Sequence, residues 1–138
     1  MKIAEPRFKL THSTYVTDTV ITAKYRATRA VIENQLAAVE NCAVATDLWT
    51  SLHQQGAYIS LTAHFVDSDF NRPSKCLQTL EIPQDHDARS LKDVLSSMFH
   101  DRKITGKLCG GITDNASNMV NAFRLLAIDY FLCVTHTS

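Results

Sequence analysis

The sequence is short of the features that would assign it at a glance. No apolar run approaches the roughly 18 residues of a membrane-spanning helix, so no membrane partner is expected. The start, Met1-Lys2-Ile3-Ala4-Glu5-Pro6, lacks the apolar core of a signal peptide. A cytosolic or nuclear setting is the expectation. Charge of one sign is missing as well. Fourteen basic residues balance 14 acidic ones, which argues against a strongly basic nucleic-acid-binding surface and leaves room only for a local patch. The four cysteines (Cys42, Cys76, Cys109, Cys133) include no Cys-x-x-Cys pair, which removes zinc ribbons and fingers. Each lies in an apolar stretch, so buried reduced thiols are expected rather than disulfides. Glycine is scarce, and no Gly-x-Gly-x-x-Gly, P-loop or Gly-x-Ser-x-Gly occurs. Nucleotide cradles and serine-hydrolase elbows are therefore absent.

What is present is 138 residues with ordinary apolar content, enough for one domain with a real core. Residues 1–17 are Thr/Ser-rich without a period and read as a loose lead-in to a domain over 18–138. Asp18 or Thr17 is placed to cap a helix, with Ile21, Tyr25, Thr28, Ile32, Leu36 and Val39 as its apolar stripe and Asn41 as its stop. Lys24, Arg26 and Arg29 form a basic cluster there, either a solvated face or a phosphate contact. Cys42 to Asp47 is a short apolar strand, expected to be central and covered on both faces. Ala57 to Val66 alternates, with Ile59, Leu61, Ala63 and Phe65 on one face. Lys75 to Ile82 makes a third strand, ended by Pro83. A helix follows, capped by Asp87 and buried through Leu91, Val94, Leu95, Met98 and Phe99. Lys107 to Thr113 is a fourth strand. A helix from Asn115 or Ser117 and a strand from Tyr130 to Val134 complete the order helix, β-β-β, α, β, α, β. Three antiparallel strands followed by alternating helix and strand is an α/β, ribonuclease H-like mixed sheet with flanking helices, here ending after the fifth strand.

Two strand ends carry the chemistry. Thr46-Asp47 leaves the first strand and Thr113-Asp114 leaves the fourth, and that topology brings them together. Paired carboxylates suit Mg²⁺ or Mn²⁺, hard cations that take oxygen ligands. Two such ions roughly 3.5–4 Å apart serve phosphodiester chemistry. The alternative is that both aspartates only cap strand-to-helix turns. Trp49 is placed either to stack on a base or to fill the core. His86, between Asp85 and Asp87, reads as catalytic or as an exposed turn histidine. Cys133-Val134-Thr135-His136 is a Cys-x-x-His pair with no second pair to complete a zinc site.

Thr46-Asp47-Leu48-Trp49-Thr50-Ser51, Leu61-Thr62-Ala63-His64-Phe65, Thr113-Asp114-Asn115-Ala116-Ser117-Asn118-Met119-Val120 and Cys133-x-x-His136, in this order, resemble the hAT DNA transposases and their domesticated BED-type zinc-finger relatives. The resemblance covers residues 20–138. It implies a ribonuclease H-like transposase core that cuts and joins DNA with Mg²⁺, a nuclear setting, DNA as partner, and a homo-oligomer formed through regions not matched here. Asp47 and Asp114 match the first two acids of the family's Asp-Asp-Glu set. Cys133 and His136 match its Cys-x-x-His motif, associated with handling DNA. Asp85-His86-Asp87-Ala88 resembles its His-Thr-Ala segment. The third acid has no match: all four glutamates (Glu5, Glu33, Glu40, Glu81) precede Asp114, and the only later acid is Asp129. The BED finger is not matched either. The expectation is a partial core that binds metal weakly and is inactive alone. A protein-interaction module of a domesticated regulator and a Mg²⁺-dependent nuclease are the alternatives.

Overall fold

The computed structural model describes residues 13–53, 56–83 and 85–134. The chain divides into two compact units, Met1–Val31 and Ile32–Ser138.

The described part of the first unit is helical throughout: α1 (Ser13–Tyr15), a π-helical stretch (Val16–Ile21) and the start of α2 (Thr22–Ala37). Helix therefore begins before the expected Asp18 or Thr17 cap, and residues 13–17 are not loose. Thr17 Oγ1 donates to Ser13 O (3.0 Å) and Thr22 Oγ1 to Thr17 O (3.2 Å). Hydroxyls that bond back to carbonyls compete with the helical ladder, and the π-helical stretch lies between these two. Ile21 and Tyr25, placed in the apolar stripe by the sequence, are exposed.

In the second unit the remaining stripe does bury. Leu36 is 3% exposed and Ile32 and Val39 pack against the core. The helix ends at Ala37, earlier than the expected Asn41. Lys107 Nζ fixes that end, donating to Leu36 O (2.7 Å), Ala37 O (3.3 Å) and Val39 O (2.8 Å). A cation at a helix C-terminus meets both orphan carbonyls and the negative end of the helix dipole.

The sheet has the order β3-β2-β1-β4-β5. Its strands are β1 (Cys42–Thr50), β2 (Ala57–His64), β3 (Ser74–Ile82), β4 (Leu108–Thr113) and β5 (Tyr130–Leu132). β1–β2 and β2–β3 pair antiparallel; β1–β4 and β4–β5 pair parallel. This is the expected ribonuclease H-like mixed sheet. Two helices, α3 (Ala88–Asp101) and α4 (Ser117–Leu125), supply the crossovers that parallel pairing needs. Leu91, Leu95, Met98 and Phe99 of α3 and Met119, Ala122 and Phe123 of α4 bury with Val44, Ile59, Leu61 and Ala63. Full burial of one such side chain contributes about 1.5–3 kcal/mol.

The other sheet face is only half covered. Along β1, Cys42, Val44 and Thr46 are buried, Ala43 and Ala45 are half-buried, and Asp47 is exposed. The expectation that this strand is covered on both faces is corrected: its alternate residues look toward solvent. Asp67 organises the β2–β3 turn, accepting from the backbone N of Asp69 (3.0 Å) and Asn71 (2.9 Å). Gly111 of β4 permits close packing, since a Cβ there would meet the ring of Phe123.

Candidate metal and nucleic-acid site

β1 and β4 run side by side in the same direction, and their last paired residues are Ala45 and Ile112. One step further, this register sets Thr46 level with Thr113. Two steps further it sets Asp47 level with Asp114. The strand expected to end at Asp47 runs on to Thr50, so Asp47 lies within β1, paired with Ser60 of β2, while Asp114 follows directly on the end of β4. Asp47 is exposed and Asp114 half-buried. Asp114 Oδ1 accepts from Ala116 N (3.2 Å). That bond serves the start of α4, whose N-cap residue Ala116 makes no side-chain cap of its own. That bond uses only one of the two carboxylate oxygens of Asp114.

Trp49 lies two residues beyond Asp47, on the same face of β1. It is 40% exposed, so a core role is ruled out. Its ring stacks on that of Tyr58, its cross-strand partner, with centroids 5.8 Å apart and planes at 24°. The sequence contained the pair only implicitly, since the cross-strand register is what makes Tyr58 its neighbour.

β3 is antiparallel to β2 and therefore parallel to β1, so the β3–α3 loop emerges on the same sheet edge as Asp47 and Asp114. In that loop His86 is half-buried, not an open turn residue. Its Nδ1 lies 3.0 Å from Pro83 O, so Nδ1 carries the proton and donates to that carbonyl. Asn118 Nδ2, on the first turn of α4, donates to His86 O (3.3 Å). Asp85, His86, Asp87, Ser90 and Asn118 line a polar cavity of about 580 Å³. Asp87 caps α3 as expected, accepting from Ser90 N at 2.7 Å. That hydrogen bond holds its carboxyl below the usual carboxylate range. Asn118 was not singled out from sequence. Its place in the Thr-Asp-Asn-Ala-Ser-Asn run, on the turn that follows Asp114, was the available signal.

Cys133 continues the ladder past β5, donating its backbone N to Thr113 O (2.8 Å). This puts it beside the residue that precedes Asp114. His136 lies outside the described residues. Asp129 stands at the opposite end of β5, its carbonyl bonded to Gly111 N (2.8 Å), far from the acidic pair. The expectation of four buried thiols holds only for Cys42: Cys76 and Cys109 are exposed and Cys133 is half-buried.

The donor set decides what fits. Two carboxylates at neighbouring strand ends suit a hard divalent ion whose other ligands are water or phosphate oxygens. Among the described residues no cluster of three or more Asp, Glu, His and Cys side chains is arranged to hold a metal. Among the described residues the acids at this edge number two, Asp47 and Asp114, with Asp85 and Asp87 in the neighbouring β3–α3 loop. Also among the described residues, no helix is long and apolar enough to cross a membrane.

A mixed sheet in this strand order, with flanking helices supplying its parallel crossovers, defines a ribonuclease H-like domain. The family model of the ZBED1 RNase-like domain matches residues 45–135. The chain belongs to that family and is a ribonuclease H-like domain of ZBED/hAT type. The match takes in Asp47, Trp49, Asp114 and Cys133 and stops before His136. No curated protein matches the chain.

Proposed function

We propose that this domain descends from a hAT transposase and binds DNA without cutting it, in a nuclear setting. Asp47 and Asp114 would hold one Mg²⁺ weakly, the ion would supply positive charge against a backbone phosphate, and Trp49 offers its ring to an unstacked base. Cys133 belongs to the same DNA-facing edge in this reading, and His136, outside the described residues, is assigned a DNA contact with it. The observation that carries it is the β1–β4 register, which sets Asp47 level with Asp114. The ion supplies charge neutralisation of the phosphate; the chain supplies two carboxylates, one of them already held by Ala116 N. Family membership supports the DNA partner and the nucleus, and a pair of carboxylates supports holding a cation against a phosphate.

A mobility-shift titration on hairpin and flap DNA tests it. The expected result is retention that weakens with EDTA, with Asp47→Asn and with Trp49→Ala, and intact DNA with Mg²⁺ or Mn²⁺. Mn²⁺-dependent nicking that Asp47→Ala abolishes would make the domain a nuclease instead.

A second reading, a protein-interaction module, is favoured by the β5 corner. Phe131 is 74% exposed and Ile112, its paired neighbour on β4, 42%, two large apolar side chains on one face of adjacent strands. A monomer in light scattering at high concentration, with no protein partner retained through this corner, counts against it.

A further inference from the structure

The ends of β1 and β4 remote from the acidic pair carry a second piece of chemistry. Cys42 pairs with Leu108 and Ala43 with Gly110, so Cys109 is an extra residue bulged out between two rungs of the ladder. A bulge leaves its residue unpaired and re-aims its side chain. Cys109 stands one step past the Cys42–Leu108 rung, so strand spacing and rise put its Cα roughly 6 Å diagonally from that of Cys42, close enough to act on the Cys42 thiol. That spacing lies within the Cα–Cα range of about 4.4–6.8 Å that a disulfide spans. The two thiols differ in access: Cys42 is 1% exposed, whereas Cys109 is open to solvent. Both line one cavity of about 680 Å³ together with Val39, His64, Phe65 and Arg72. The cavity gives a small reagent a route to the pair.

Neither remaining cysteine competes. Cys76 is on β3, with β2 between it and β1. Cys133 pairs beside Thr113, at the other end of β4, about 13 Å along the strand from Cys109.

We infer that Cys109 and Cys42 form a peroxide-reactive thiol pair, with Cys109 the first thiol oxidised and Cys42 the resolving one. The Cys109 thiol gives its proton to solvent, its sulfur attacks a peroxide oxygen and the O–O bond breaks; the products are a sulfenic acid and a hydroxide (or alkoxide, from an organic peroxide) that takes a proton back from solvent to leave as water (or alcohol). The Cys42 sulfur then attacks the Cys109 sulfur. The S–S bond forms, the hydroxyl leaves with the Cys42 proton as a second water, and the peroxide has taken two electrons from two thiols. The order follows from access. Burial, with Cys109 close by, pushes the Cys42 thiol up, and Lys107 only partly opposes this. Cys42 therefore stays protonated until its neighbour is oxidised. This inference concerns a different edge of the sheet and does not rest on the DNA-binding reading.

The whole chain is treated with limiting hydrogen peroxide, denatured into alkylating reagent, digested and mapped by mass. The expected product is a Cys42–Cys109 cross-linked peptide, two hydrogens lighter than its parts and restored by dithiothreitol, with Cys76 and Cys133 alkylated. Cys109→Ser is expected to leave Cys42 reduced at the same dose, and Cys42→Ser to leave a Cys109 sulfenic acid that dimedone traps. The inference is overturned by a cross-link through Cys76 or Cys133, by absence of any cross-link in the native chain, or by Cys42 oxidation that persists in Cys109→Ser. The mapping of the native chain stands even where the Cys42→Ser chain fails to fold.

Discussion

Thr46 and Thr113 stand level on adjacent parallel strands, each buried and each with a hydroxyl oxygen that meets no protein partner. Each immediately precedes one of the two aspartates at the sheet edge. The alternation that turns Asp47 toward the open face turns Thr46 into the core, and the fourth strand repeats the arrangement. A buried, unbonded hydroxyl costs about 1–3 kcal/mol. Thr→Val keeps the shape and removes the hydroxyl. Thr46→Val and Thr113→Val are each expected to raise unfolding free energy by about 1 kcal/mol in urea titrations. A loss of stability would mean instead that the two hydroxyls share a bridging water.

Gly111→Ala puts a methyl group into the ring of Phe123, which is fully buried and cannot yield. The expected cost is about 1–3 kcal/mol. Adding Phe123→Leu relieves the clash, so the double variant is less destabilised than the sum of the two single ones. Strict additivity in denaturant titrations would contradict this contact.

Lys107 links the strand it introduces to the end of α2 through three carbonyls. Lys107→Met keeps the stem and removes the donors. It is expected to cost about 2 kcal/mol, within the range for hydrogen bonds made by a charged group. Hydrogen exchange is expected to rise selectively at residues 34–39.

The α3 cap gives a pH signature. Ser90 N stabilises the charged carboxylate of Asp87, so its folded pKa lies below its unfolded one. The contribution is complete above the unfolded value, about 4, and is lost as pH falls through the folded one. Asp87→Asn keeps a capping oxygen without a titrating charge. Between pH 5 and pH 2 the difference in melting temperature between wild type and Asp87→Asn is expected to shrink as the acid is protonated. A constant difference would remove Asp87 from the acid response.

Much of this architecture was legible in the residues. The alternation through Ile59, Leu61 and Ala63 and the apolar spacing of Leu91, Leu95, Met98 and Phe99 report local periods, and the structure buries all seven. The parallel pairing of β1 with β4 was legible because a strand–helix–strand crossover leaves few places for the fourth strand. What sequence missed depends on cross-strand neighbours. Trp49 was left between the core and a base-stacking role; its position on the open face of β1 and its contact with Tyr58 follow from register. Cys109 was expected to be buried because its stretch is apolar, but a bulge turns it outward. Ile21 and Tyr25 share a helical stripe with Leu36, yet periodicity shows only which residues align. It does not show whether a partner covers them.

The central claim is that Asp47 and Asp114 form one cation site. Mn²⁺ titrated into the ¹⁵N-labelled chain tests it most directly, through paramagnetic broadening of individual amides. The account predicts loss of signal first around residues 46–49 and 113–116, shared by both strand ends and abolished at both by Asp47→Asn. Broadening centred on Asp85–Asp87, or broadening at residues 113–116 that survives Asp47→Asn, would contradict it.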